Sequence, residues 1–253
     1  MRRPGRFVGW LITAVLLGWG LSWAGPRVPG ALERVPGVLA RVDWFRVRTV
    51  RVEGNHYLDA DEVKRLAAVP PETNLWDDVE PVAARVRAYP LVRDVRISRR
   101  LFGTLVVKVE EREPVGLVPT PTLQPVDRDG RRLPLDPARH SLDLPVIQPE
   151  RVLRGAPQAA AIAAAARETA RLAEVDPNFW AAISVVTEQG PNEVVVDWGN
   201  PAVKLRFRAP IAPPRLREAL AVIADAADRN GGRPPASIDL RFADQVVVRW
   251  GSE

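Results

Sequence analysis

Phe45-Arg-Val-Arg-Thr-Val-Arg-Val-Glu53 is rich in Val interleaved with Arg and runs into the turn pair Gly54-Asn55. β-branched residues bounded by a turn signal read as a strand. A helix follows it: Asp59 can cap its start, Glu62 stands three residues on in capping-box spacing, and Val63, Leu66 and Ala67 form the buried stripe before Pro70-Pro71. Asn74-Leu-Trp-Asp-Asp78 leads into a second helix, which tolerates Pro81 in its first turn, carries Val82, Val86 and Tyr89 on one face, and closes at Tyr89-Pro90. Val92 to Ser98 and Thr104 to Glu110 are two further strand-like runs around Leu101-Phe102-Gly103. The order is β-α-α-β-β.

Upstream, Phe7 to Gly25 is an uncharged apolar run of about 19 residues, close to the roughly 20 that a helix needs to cross a bilayer. Arg2, Arg3 and Arg6 precede it and only Arg27 lies close behind, so the positive-inside bias keeps the N-terminus cytoplasmic and exports the rest. Ser22, Ala24 and Gly25 would also suit a signal peptidase. An uncleaved signal anchor is the stronger reading, because the run is longer than a signal h-region and Trp10, Trp19 and Trp23 stand toward its ends, where interfacial aromatics anchor spans. In residues 26–44 a seven-residue repeat, Arg27 to Glu33 and Arg34 to Ala40, could pass for a heptad. Pro29 and Pro36 break it, and the stretch reads as a stalk.

A β-α-α-β-β set just after a signal anchor resembles the POTRA domain of the FtsQ/DivIB cell-division family. Val50-Arg-Val-Glu-Gly-Asn55 looks like that family's strand-to-turn motif, Tyr89-Pro-Leu-Val92 its helix exit and Glu111-Arg-Glu-Pro114 its charged exit from the domain. Two positions depart from the pattern: Leu91 stands where Trp is frequent, and Phe102-Gly103 replaces the usual Pro before the last strand.

Beyond Pro114 the pattern changes to strands punctuated by turns. Strands are expected at Pro114 to Val118, around the Asp129-Gly130 turn between Leu123 and Leu133, and at Ala182 to Glu188, Glu193 to Trp198, Ala202 to Arg208, Ser237 to Phe242 and Gln245 to Trp250. Two helices interrupt them, one Ala-rich from about Gln158 to Glu174 and one from Arg215 to about Asp228. The family has a mixed β domain in this position. Ser237-Ile-Asp-Leu-Arg-Phe242 followed by Val246-Val-Val-Arg-Trp250 resembles its last segment, with Phe242 in place of a common Tyr and Gln245 in place of a common Gly.

The expected fold class is therefore α+β: a cytoplasmic tail at 1–6, a transmembrane helix at 7–25, a stalk at 26–44, a POTRA-like domain at 45–113 and a mixed β domain with two helices at 114–253.

The 36 Lys+Arg against 31 Asp+Glu leave a net charge of +5, and most of the bases are Arg. Nucleic acid is not the expected partner, since an exported domain does not meet the genome and acids are interspersed with the bases; anionic lipid or wall polymer fits better. Arg85, Arg87, Arg93, Arg96, Arg99 and Arg100 crowd the POTRA-like segment and could meet headgroups, although a solvated face is the plainer reading. No cysteine and only two histidines, His56 and His140, exclude disulfides, thiolate sites and a histidine-rich metal centre. His140-Ser-Leu-Asp143 holds the residue types of a hydrolase triad, yet neighbours along four residues rarely converge in space. Asp127-Arg-Asp-Gly130 lacks the later ligands of a calcium loop, and Gly231-Gly232 lacks the strand-before and helix-after context of a phosphate loop. Catalytic, metal and cofactor residues are all expected to be none.

The resemblance implies a non-enzymatic, single-pass scaffold at the division septum, and the lack of a catalytic constellation favours it. The alternative is a membrane-anchored wall hydrolase or wall-binding protein. A POTRA chaperone of outer-membrane assembly would need a barrel or a barrel partner. The resemblance implies partners, FtsB/DivIC-like and FtsL-like single-pass proteins, engaged near Arg241, Phe242 and Trp250; Asp239 and Val248, on the same final strands, are expected to belong to the site. Mass analysis of the mature protein is expected to return an intact N-terminus; one beginning near Gly25 would mean a cleaved signal peptide.

Overall fold

The computed structural model describes residues 45–119, 121–149 and 155–251. The expected tail, span and stalk lie outside them. Among the described residues, no helix is long and apolar enough to cross a membrane.

The β-α-α-β-β order is present: β1 (Thr49–Glu53), α1 (Ala60–Ala67), α2 (Glu80–Arg87), β2 (Val92–Arg100) and β3 (Thr104–Glu111). The three strands form one sheet in the order β1-β3-β2, so β3 is central. Its position explains why Leu105, Val106 and Val107 are buried in succession instead of alternating. Asp59 caps α1 by accepting the Asp61 N–H at 3.2 Å. Glu62 does not complete the expected capping box; it engages the Tyr89 hydroxyl, whose pKa is raised by burial first and by this carboxylate second. Arg85, expected among the basic surface residues, donates to the Ala67 and Ala68 carbonyls at the C-terminal end of α1, where helical C=O groups lack partners.

The motifs quoted above have distinct physical roles. Gly54 has φ +80°, and a Cβ there would collide with the Val109 carbonyl oxygen; only glycine fits. At the end of β3, the Glu111 carboxylate accepts the backbone N–H groups of Tyr57 and Leu58 at 2.7 and 3.0 Å. The next residue, Arg112, donates its N–H to Leu91 O at 2.7 Å and its guanidinium to Asp127 at 2.9 Å.

The second sheet has eight strands in the order β11-β10-β9-β8-β7-β6-β4-β5. They are β4 (Gly116–Pro119), β5 (Leu123–Val126), β6 (Val146–Pro149), β7 (Ile183–Gly190), β8 (Glu193–Trp198), β9 (Val203–Arg208), β10 (Ser237–Asp239) and β11 (Val247–Arg249). Most neighbours are antiparallel; β6 runs parallel to both β4 and β7, and β10 parallel to β9. Strand β6, between Pro145 and Pro149, carries no periodic signal and was not expected. The helices α3 (Ala156–Val175) and α5 (Pro213–Arg229) match expectation within two residues, and a third, α4 (Pro177–Ala181), corrects the count of two. Asp176 caps α4 by accepting the N–H groups of Asn178 and Phe179, a signal hidden behind Pro177.

Ile162, Ala165 and Leu172 of α3 and Leu216, Ala219 and Ile223 of α5 share one core with Ile147, Val186, Val196, Leu205, Phe207 and Ile238 of the sheet. Contacts divide the chain into two compact units. Among the described residues, one holds 45–51, Val69–Glu80 and Ile97–Val106; the other holds Val52–Ala68, Pro81–Arg96 and those from Val107 on.

A buried charge ties two helices of the second unit together. Glu168 of α3 is buried and forked onto Arg171 at 2.7 and 3.0 Å, while its Oε1 also accepts the Ile211 N–H at 3.2 Å. Arg171 donates in turn to the Ile211 carbonyl. The pair holds α3 to the segment that enters α5. Glu168→Ala leaves the guanidinium and an amide without their acceptor, and chemical denaturation is expected to show a loss of about 3 kcal/mol; a loss within about 0.5 kcal/mol, typical of a surface site, would contradict this account.

Candidate functional site

β11 is the terminal strand of the eight-stranded sheet. It pairs with β10 through Ser237↔Arg249, Ile238↔Val248 and Asp239↔Val247, and among the described residues no strand lies on its outer side. Such an edge presents backbone N–H and C=O groups that another chain can pair with.

Both strands are shorter than expected, for a local reason. The Asp239 carboxylate accepts the N–H of Arg241, two residues on, at 3.1 Å, closing a turn that competes with the ladder. Arg241 then forks onto the same carboxylate, at 3.0 and 2.8 Å, and reaches Glu193 at 3.0 Å. The loop beyond is gripped from α5, where Arg215 donates to the Phe242 and Gln245 carbonyls at 2.6 and 2.7 Å. As a result Ile238 and Leu240 are buried and Phe242 is not; the inward alternation stops before it.

The five sequence-derived residues thus separate into three kinds. Asp239 and Arg241 form one ion network, with Asp239 itself buried. The hydrogen bond from Arg241 holds the Asp239 pKa below the usual carboxylate value, and the same bond raises that of Arg241. Val248 packs partly against the core. Phe242 and Trp250 are 45% and 49% exposed and so do not serve to fill the core. Glu193 and Arg215 were missed. They lie 48 and 27 residues from their partners, and neither carries a sequence signal of the contact.

Elsewhere, the segments weighed for chemistry have structural roles. The His140 Nδ1 sits 3.0 Å from its own turn's Asp136 carbonyl. Asp127 is buried, its carboxylate accepting the N–H groups of Asp129 and Arg131 and the Arg112 guanidinium. Gly231 and Gly232 hold φ of +61° and +84° after α5, and the Gly232 N–H bonds to Ala227 O at 2.8 Å, as at a helix C-terminus. Among the described residues, no group of three or more His, Asp or Glu could hold a metal ion.

Comparison with known proteins bears on the whole arrangement. A family model for the FtsQ-type POTRA domain matches residues 45–112. A protein of Rhodothermus marinus named cell division protein FtsQ is 32% identical over 225 residues, covering 80% of this chain and 78% of its own. The chain belongs to the FtsQ family of cell-division proteins. Its FtsQ relative in Cereibacter sphaeroides is 30% identical across 81% of this chain and 63% of its own. The match to FtsQ of Syntrophotalea carbinolica, 30% identical, spans 42% of this chain and only 38% of that relative.

The ion network makes a pH prediction. Because the folded Asp239 pKa is depressed, its stabilising contribution is complete above the ordinary carboxylate value of about 3.9 and fades as pH falls through the folded value. Asp239→Asn is expected to cost about 2 kcal/mol at neutral pH, with the gap from the parent narrowing below about pH 4. A gap that stays constant down to about pH 3 would show that the charge is not what matters.

Proposed function

We propose that this FtsQ-family chain is a non-enzymatic, single-pass scaffold of the division septum in the cytoplasmic membrane. Residues 1–6 stand in the cytoplasm, 7–25 span the bilayer, 26–44 form a stalk, and two exported domains, 45–113 and 114–253, recruit other septal membrane proteins. The observation that carries the reading is the β11 edge, open among the described residues, with two large apolar side chains, Phe242 and Trp250, half exposed around it. A partner strand added to β11 would complete its backbone hydrogen bonds, and the two aromatics would anchor it, since buried aromatics dominate such contacts. The partners are FtsB/DivIC-like and FtsL-like single-pass proteins, as the family resemblance implies.

Arg241 is unsuited to testing this, because removing it also breaks the Asp239 and Glu193 bonds. The half-exposed pair is better. Phe242→Ala with Trp250→Ala is expected to weaken capture of the co-purifying division proteins from membranes by about tenfold or more while the unfolding midpoint stays unchanged. Undiminished capture by that double variant would remove β11 as the docking edge.

A further inference from the structure

The molecule carries a second group of large exposed apolar residues, far from β11 in sequence. Leu101 and Phe102, at the turn between β2 and β3, are 73% and 72% exposed, and Trp76 is 51% exposed. All three belong to the first compact unit. Phe102 also has φ +68°, a conformation in which a bulky aromatic is a rare outlier. A strained turn that points two large apolar side chains into solvent has no folding rationale; glycine would serve the backbone better.

The chain arriving from the stalk meets this turn directly. The N–H groups of Arg48 and Thr49 bond to the Gly103 carbonyl at 2.7 and 3.1 Å, and a Cβ on Gly103 would stand 3.3 Å from the Arg48 Cγ. On the other side of that chain, Leu75 N–H bonds to Phe45 O at 2.8 Å, and the Trp76 ring meets that of Phe45 edge-on at 5.9 Å. Trp76 and Phe102 therefore flank the point where residue 45 enters. Residues 26–44 reach at most about 65 Å when fully extended, so an anchored span at 7–25 keeps this point near a bilayer.

Charge selects the kind of surface. The two segments that meet at the turn, 45–51 and 97–106, carry Arg46, Arg48, Arg51, Arg99 and Arg100 and no acid. Among the described residues of the same unit, the acids lie on Val69–Glu80, where Asp77 accepts the Asn74 N–H and Asp78 the Glu80 N–H. Apolar side chains on a turn whose two segments carry only basic charge match an anionic headgroup layer, with the cations among phosphates and the rings at the acyl boundary.

We propose that Leu101 and Phe102, flanked by Arg48 and Arg99, form a membrane-docking tip that inserts into the anionic lipid interface of the bilayer that anchors the chain. The proposal goes beyond partner recruitment and rests only on the span reading of 7–25. It gives the unit a fixed approach to the membrane, where the stalk alone would give a tether.

The absence of native cysteine permits a single label. Leu101→Cys and, as a control on an exposed position of α5, Ala224→Cys are each labelled with an environment-sensitive fluorophore in the full chain. Both proteins are reconstituted into vesicles of phosphatidylcholine with about 30% phosphatidylglycerol and with spin-labelled lipid as quencher. The probe at 101 is expected to be quenched about threefold more than that at 224, and less so in pure phosphatidylcholine or at about 1 M salt. Adding Phe102→Gly, which suits φ +68° and so preserves the turn, is expected to remove most of the difference. Equal quenching at 101 and 224 in a chain that floats with the vesicles overturns the tip while leaving the span intact. Quenching indifferent to Phe102→Gly overturns it too, and so does shielding of the 101 probe only on addition of another membrane protein. A chain that does not float at all overturns both the span and the tip.

Discussion

The short contact between Asp239 and Arg241 governs the end of the sheet where we propose that a partner docks. A carboxylate two residues upstream of a guanidinium folds back on the Arg241 N–H, and the fork between them is extended to Glu193 of β8. Buried as it is, Asp239 needs that cation; without it the strand would hold an uncompensated charge. The same turn stops β10 after three residues, turns Phe242 outward and brings the chain back as β11. The end of β10 and the exposure of Phe242 thus follow from one local ionic closure.

A comparable economy appears at the other end of the chain's charged exit motif. Glu111 and Arg112 are consecutive, and their side chains serve different segments: the carboxylate takes the two amides ahead of α1, and the guanidinium meets the buried Asp127 of a hairpin turn. Asp127 itself closes that turn through the amides of Asp129 and Arg131. What resembles the opening of a calcium loop in sequence is a carboxylate already saturated by donors.

Among the described residues, Leu123 of β5 is exposed singly, and two surfaces group large apolar side chains in solvent, the β11 edge and the β2–β3 turn. They differ in chemistry. At β11 the apolar side chains border an open hydrogen-bonding edge, which suits a strand; at the turn they border arginines near the chain's point of entry, which suits a headgroup layer. A chain that engages both would be oriented by lipid at one and by protein at the other.

The sequence by itself determined the element order of residues 45–111, both long helices, the central strands and the family, because these rest on local signals: alternation, helical spacing, caps, Gly54 and the Asp-Leu-Arg run at 239–241. It also bounded the chemistry through the absence of cysteine and the scarcity of histidine. It did not reveal β6, whose parallel partners β4 and β7 supply hydrogen bonds that no period in Val146–Pro149 announces. Nor did it reveal that Arg85 caps a helix, that Glu62 turns to Tyr89, or that Glu193 and Arg215 hold the final loop. Those contacts join residues 18 to 48 positions apart. A charged side chain in sequence looks the same whether it is solvated or clamped, and only the fold decides which carbonyl or carboxylate it meets.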